Sequence, residues 1–156
     1  VPLGTAPDPN AIGWVSFACV LIRHDVIARA GRLDDGFFLY YEDAEFCHRA
    51  GQAGWRIAHV PEARVVHFRG GSGPVKALSR QKRRLPPYYY ASRARYFRKV
   101  HGPAGLLAAN MCWAAGRCIA MARRLVGKPV PTAREYEWLD IWTGLARPRR
   151  PRAIEE

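Results

Sequence analysis

The chain has 156 residues, 49% of them hydrophobic and 24% charged, enough for one domain with a real core, which excludes a disordered or low-complexity protein. Its 25 basic and 13 acidic residues leave a net charge of +12. That balance suits phosphate-bearing partners, whether nucleic acid, anionic lipid or nucleotide, or else a plainly solvated basic surface. The four cysteines (Cys19, Cys47, Cys112, Cys118) form no C-x-x-C pair and have no zinc-ligand spacing. Each stands among apolar residues, so buried free thiols in a reducing compartment are expected, not structural zinc.

Residues 1–12 read as a connecting segment, with Pro2, Pro7 and Pro9 opposing regular structure and no apolar core of the kind a signal peptide needs. A start at Val1 reads as a processed, excised or partial chain. Gly13 to Ile22 is a β-prone apolar run, expected as a buried strand. Asp25 is the expected N-cap of a short helix through Ala30, with Gly31 as its stop. An Asp34-Asp35-Gly36 turn leads into the aromatic run Phe37-Phe38-Leu39-Tyr40-Tyr41, which meets the carboxylates Glu42 and Asp43.

From Asp43 to residue 53 the spacing of Phe46, Cys47 and Ala50 predicts a helix, ended by Gly51 or Gly54. Residues 55–60 and 64–68 read as strands around a Pro61 turn, with Gly70–Gly73 as a flexible loop. The basic, poorly periodic stretch 74–85 reads as a mobile loop. Pro86 and Pro87 open a helix with Tyr89, Tyr96, Phe97 and Val100 on one stripe, and His101-Gly102-Pro103 breaks it.

A second long helix is expected over 104–126, apolar at Leu107, Met111, Ala114, Cys118, Met121 and Leu125, with Asn110, Arg117 and Arg124 on a narrow polar face. A mid-helix arginine opposes crossing a membrane. Packing on the core and lying in a membrane surface both fit. Beyond it come an apolar patch at Trp138–Leu145 and an Arg-Pro tail expected to be disordered. The fold class is thus α/β: a small mixed sheet from 13–22 and 55–68, flanked by helices. Its parts are a linker (1–12), a main unit (13–101), a helical segment (102–146) and a basic tail (147–156).

Two features go beyond packing. Asp43 sits at a helix mouth behind an apolar wall; apolar walls favour its neutral form and helix-start amides its charged form. Those opposing pulls suit a general base, although an N-cap carboxylate looks the same in sequence. His67 closes a strand and opens a glycine-rich turn, as a metal ligand or a structural histidine would.

The order and spacing of Gly13-Trp14-Val15-Ser16-Phe17-Ala18, Gly31-x-Leu33-Asp34-Asp35-Gly36-Phe37-Phe38-x-Tyr40-x-Glu42-Asp43-x-Glu45-Phe46-x-x-Arg49, Gly54-Trp55-Arg56-Ile57-x-x-Val60-Pro61 and Val65-x-His67-x-x-Gly70-Gly71-Ser72 resembles the second half of family 2 glycosyltransferases. The nearest branch is rhamnosyltransferase-like and builds bacterial cell-surface polysaccharide. The resemblance implies a GT-A fold, a nucleotide-sugar donor, a glycan or lipid-linked acceptor, and inversion at the anomeric carbon. It implies Asp43 as the base, Glu42 as its support or the acceptor's guide, and a divalent Mg²⁺ or Mn²⁺ with His67 as one ligand. Gly13 to Ala18, with Trp14 and Ser16, matches the segment lining the sugar cleft. Trp14 and Tyr41 are either stacking surfaces for a sugar ring or core. Tyr90 and Arg93 match a helix that places arginine near the diphosphate.

The chain departs from that pattern in three ways. Its six aspartates, Asp8, Asp25, Asp34, Asp35, Asp43 and Asp140, are never two apart, so the D-x-D pair is missing. The nucleotide-binding βαβ units are missing too, and Glu45 stands where relatives carry Asp. The expectation is an acceptor-side fragment, inactive alone, placed in the cytoplasm with peripheral contact to the inner membrane face. The competing reading is a non-catalytic basic module docking on anionic membrane or nucleic acid.

Overall fold

The computed structural model describes residues 12–68, 73–130 and 132–146. Five helices follow in chain order: α1 His24–Ala30, α2 Glu42–Gln52, α3 Val75–Arg80, α4 Pro87–Leu125 and α5 Glu137–Asp140. Among the described residues no strand forms, which corrects the expected α/β sheet over 13–22, 55–60 and 64–68. A strand is held by its neighbours' N–H and C=O groups, and these runs do not pair with one another. Much of their apolar surface stays outside, with Leu21, Val66 and Phe68 fully open to solvent. The first eleven residues of the expected linker, the 147–156 tail and Gly70–Ser72 of the glycine loop lie outside the described residues.

Local chemistry explains the helix ends. Arg23, not Asp25, is the residue before α1; Asp25 lies inside the first turn and pairs with the Arg23 guanidinium at 2.6 Å. Gly31, at φ +82°, ends α1 as expected. Its N–H donates to the Ile27 carbonyl at 2.9 Å. At the end of α2, Gly54 (φ +84°) allows two reversed bonds, Trp55 N–H to Ala50 O and Gly54 N–H to Gly51 O, both 3.0 Å. This is a Schellman closure, which needs a residue tolerant of the left-handed region. Pro87 occupies the first turn of α4, where a missing N–H costs nothing.

The expected mobile loop at 74–85 is instead the short helix α3 and its exit. Val75 and Leu85 enter a core with Tyr88, Tyr90 and Ile141, against which Leu78 and Trp113 pack. Two buried anchors are enough to seat such a segment, and its many basic residues hide that pattern. Helix α4 is not straight: Gly102 (φ 71°, ψ −178°) interrupts it beside Pro103, where the break was expected. Beyond the kink, Leu106 and Asn110 have no solvent exposure. The Asn110 side-chain amide donates to the Ile141 carbonyl at 2.9 Å, and its oxygen accepts from Arg93 at 2.8 Å. Arg98 donates to Leu145 O at 2.9 Å, so residues 141–145 are laced onto α4. Of the four thiols only Cys47 is buried; Cys19, Cys112 and Cys118 are exposed, correcting the expectation that all four would be. Cysteines on an apolar helix face are buried only if something covers that face.

Candidate active site

The helix bearing the two carboxylates is aimed by a strained turn. Tyr40 (φ 69°) and Tyr41 (φ 71°) both occupy the left-handed region, which costs on the order of 1–3 kcal/mol each for side-chain-bearing residues. Packing holds them there. The Tyr40 ring meets Tyr89 edge-on at 5.8 Å, and Tyr41 lies against Tyr96 at 5.5 Å. The Tyr41 and Tyr89 hydroxyls are 3.3 Å apart. Ser92, fully buried on α4, donates to the Leu39 carbonyl at 3.0 Å and fixes the turn's entry. Burial, with Tyr89 beside it, pushes the Tyr41 phenol above its ordinary range. Tyr41 therefore stands half-buried in the aromatic wall.

The turn delivers Glu42 and Asp43 as the first two residues of α2, so Asp43 lies one position inside the helix, not at its cap. Asp43 is half-buried, and its Oδ1 accepts the Ala44 N–H at 2.7 Å. Glu42 is also half-buried, and its Oε2 is buried with no hydrogen-bond partner. Burial and the adjacent Asp43 raise the Glu42 carboxyl above its usual range. A buried oxygen of this kind is costly unless something donates to it, and an incoming hydroxyl is a natural donor.

The segment carrying Trp14 and Ser16 runs alongside this helix. The Cys47 thiol, one turn beyond Asp43, reaches the Val15 carbonyl at 4.0 Å, and Phe17 meets Phe46 edge-on at 5.8 Å. Burial raises that thiol's pKa, keeping it a packing group. Trp14 is 56% exposed and Ser16 is exposed, so both are open to a ligand flanking α2. Arg93 bonds Asn110 across the Gly102 kink of α4 and stacks over Phe97 at 5.1 Å. Its guanidinium is engaged by these two side chains.

A frame of ion pairs beneath the site was not read from the sequence. Asp34 accepts from Arg95 at 2.7 Å, from Lys99 at 2.6 Å and from the Gly36 N–H at 2.8 Å. Burial would raise the Asp34 carboxyl, but these donors outweigh it and hold the group well below the carboxylate range. Glu45, 1% exposed, pairs with Arg49 at 2.6 Å and Lys99 at 2.7 Å. Arg49 also donates to the carbonyls of Ala30 and Arg32. The Gly31-to-Arg49 motif is thus mostly scaffold, binding the turn, α2 and α4 together around Glu42-Asp43. The one local signal was the i, i+4 spacing of Glu45 and Arg49.

His67 does not enter this arrangement as a metal centre. It is exposed, between exposed Val66 and Phe68, and no group of three or more His, Cys, Asp or Glu side chains among the described residues could hold an ion. One imidazole is too few for a divalent cation.

Against known proteins, the chain belongs to glycosyl transferase family group 2, whose profile matches residues 10–147. Membership supports a GT-A-type fold for the domain these helices serve. Among similar proteins is N-acetylglucosaminyl-diphospho-decaprenol L-rhamnosyltransferase of Mycobacterium tuberculosis, 36% identical over 66 residues, or 42% of this chain and 22% of that one. Rhamnosyltransferase WbbL of Escherichia coli is 28% identical over 68 residues (44% and 26%). Low-salt glycan biosynthesis hexosyltransferase Agl10 of Haloferax volcanii is 34% identical over 50 residues (32% and 16%). The chain spans about a quarter or less of the length of these curated relatives. No solved structure matches it.

Proposed function

We propose that the chain is the acceptor-side part of an inverting glycosyltransferase that moves a rhamnosyl or other hexosyl unit from a nucleotide-sugar to a cell-surface polysaccharide or lipid-linked acceptor. Family membership and the names of the relatives support the reaction class. The observation that carries the mechanism is the pair of adjacent half-buried carboxylates that the Tyr40-Tyr41 turn sets at the mouth of α2 beside the open segment 13–16.

The acceptor hydroxyl sits between these carboxylates. Glu42, through its unpartnered buried oxygen, accepts a hydrogen bond and orients the acceptor. Asp43 takes the hydroxyl proton as the oxygen attacks the anomeric carbon. The new C–O bond forms as the bond to the diphosphate breaks, the leaving group departs with the electron pair, and the centre inverts. General-base help of this kind contributes about 10²–10⁴-fold. Trp14 and Ser16 flank the sugar, and the reaction runs on the cytoplasmic side.

Donor binding needs residues that this chain does not supply: no D-x-D, and an Arg93 already committed to Asn110. The described residues do not assemble a metal site, so if a divalent ion serves the diphosphate, His67 gives at most one ligand. The test is to assay sugar transfer by the 156 residues alone and after joining them to a family 2 donor-binding segment. Transfer only in the joined protein is expected. Full transfer by the chain alone would overturn the fragment reading, and none in either form would overturn the acceptor-side assignment. The competing basic-module reading gives no account of the unpartnered Glu42 oxygen.

A further inference from the structure

Helix α4 past its kink is oriented the wrong way round for a helix in water. It buries Asn110 against Ile141 and Arg93, and only Leu106 and Trp113 of its large apolar residues face the protein, while the others point outward. At about 100° per residue, Leu107, Met111, Cys118, Met121 and Leu125 fall within one half of the circumference, and all five are exposed. No charged residue interrupts that half. Arg117 and Arg124 lie beyond one margin, and Arg123 beyond the other.

From these observations we infer that residues 103–126 form a membrane-docking helix that lies flat in the interface of an anionic lipid bilayer, with this face in the acyl boundary. Crossing the bilayer is opposed by the other face. Leu106 and Asn110 are sealed against the protein, so the helix cannot enter the hydrocarbon without dragging the domain with it. The segment is about 34 Å long at 1.5 Å per residue, and a helix with one apolar face and basic margins docks in-plane. Charge favours lipid over a second copy: two copies meeting here would bring the Arg123 and Arg124 pairs of both chains together, whereas anionic headgroups neutralise them.

The inference stands apart from the transfer reaction, since its test contains no sugar donor or acceptor. The full 156-residue chain is sedimented with vesicles of one part phosphatidylglycerol to three parts phosphatidylcholine, and with pure phosphatidylcholine vesicles. Binding to the anionic vesicles is expected, falling about 10-fold or more in a Met111→Ser, Met121→Ser, Leu125→Ser variant with an unchanged circular-dichroism spectrum. Should that variant lose its helix, Arg123→Gln with Arg124→Gln carries the test, and weaker binding to anionic vesicles alone is expected. A wild-type chain left in the supernatant, or serine-variant binding equal to wild type, would overturn the inference. So would a dimer that the serine variant dissociates in place of vesicle binding.

Discussion

Gly36 shows how closely single residues govern the frame under the site. A Cβ added there would lie 2.1 Å from the Arg95 guanidinium carbon, and Arg95 cannot move aside without losing Asp34. Gly36→Ala is expected to destabilise the chain by about 1–3 kcal/mol in urea unfolding, and by much less in an Arg95→Ala background. Equal costs in both backgrounds would mean that the clash is not the cause. Asp34 supplies a pH signature. Its folded pKa is depressed, so its contribution is present above the ordinary carboxylate value near 3.9 and is lost as pH falls through the folded value. The urea midpoint should therefore fall more steeply below about pH 4 in the wild type than in Asp34→Asn. That Asp43 lies at the start of a helix was legible in the sequence, because Phe46, Cys47 and Ala50 follow it at helical spacing. The role of Asp34 was not, because its partners, Arg95 and Lys99, lie more than sixty residues downstream. Only folding makes those charges adjacent. The contacts of Arg93 with Asn110 and Phe97 were likewise not legible, because its identity gives no sign of its neighbours in space.

Among the elements, α2 and α4 act as one unit, joined through the Tyr40-Tyr41 turn. Ser92 is the small contact that holds the entry to that turn. Removing its hydroxyl leaves the Leu39 carbonyl without this donor, and Ser92→Ala should cost about 1–3 kcal/mol in thermal or urea unfolding. A variant as stable as the wild type would remove Ser92 from the account. Element ends were readable wherever backbone chemistry is local: Gly31 and Gly54 at positive φ, Pro87 in a first turn, Gly102 at a break. The short α3 was not readable, because two anchors set among arginines and lysines give no period. The runs 13–22, 55–60 and 64–68 have strand-like composition, but strand formation is a property of pairs, and none of these runs pairs among the described residues.

On the scale of the molecule, two apolar surfaces are left uncovered. One is the outward face of α4. The other is the series of unpaired runs that ends at Val65, Val66 and Phe68. Exposed apolar segments with free backbone groups invite association. Size-exclusion chromatography with light scattering should find the isolated chain as concentration-dependent oligomers, and the chain joined to a donor-binding segment as a smaller, defined species. A monodisperse monomer at all concentrations would mean that these runs need no partner. The same incompleteness extends to metal binding. With one exposed imidazole and no ligand cluster among the described residues, the isolated chain should bind Mn²⁺ no more tightly than Mn²⁺ binds His67→Ala, as read by calorimetry.

The most direct test of the account compares single-turnover sugar transfer by Asp43→Asn and Glu42→Gln in the chain joined to a donor-binding segment. Asp43→Asn keeps the shape and removes the base, so the transfer rate should fall by about 10²-fold or more at unchanged fold and acceptor affinity. Glu42→Gln, which alters only the group that orients the acceptor, should act mainly on acceptor affinity. An Asp43→Asn protein transferring sugar at the wild-type rate would contradict the account and leave Asp43 as an ordinary residue of a helix's first turn.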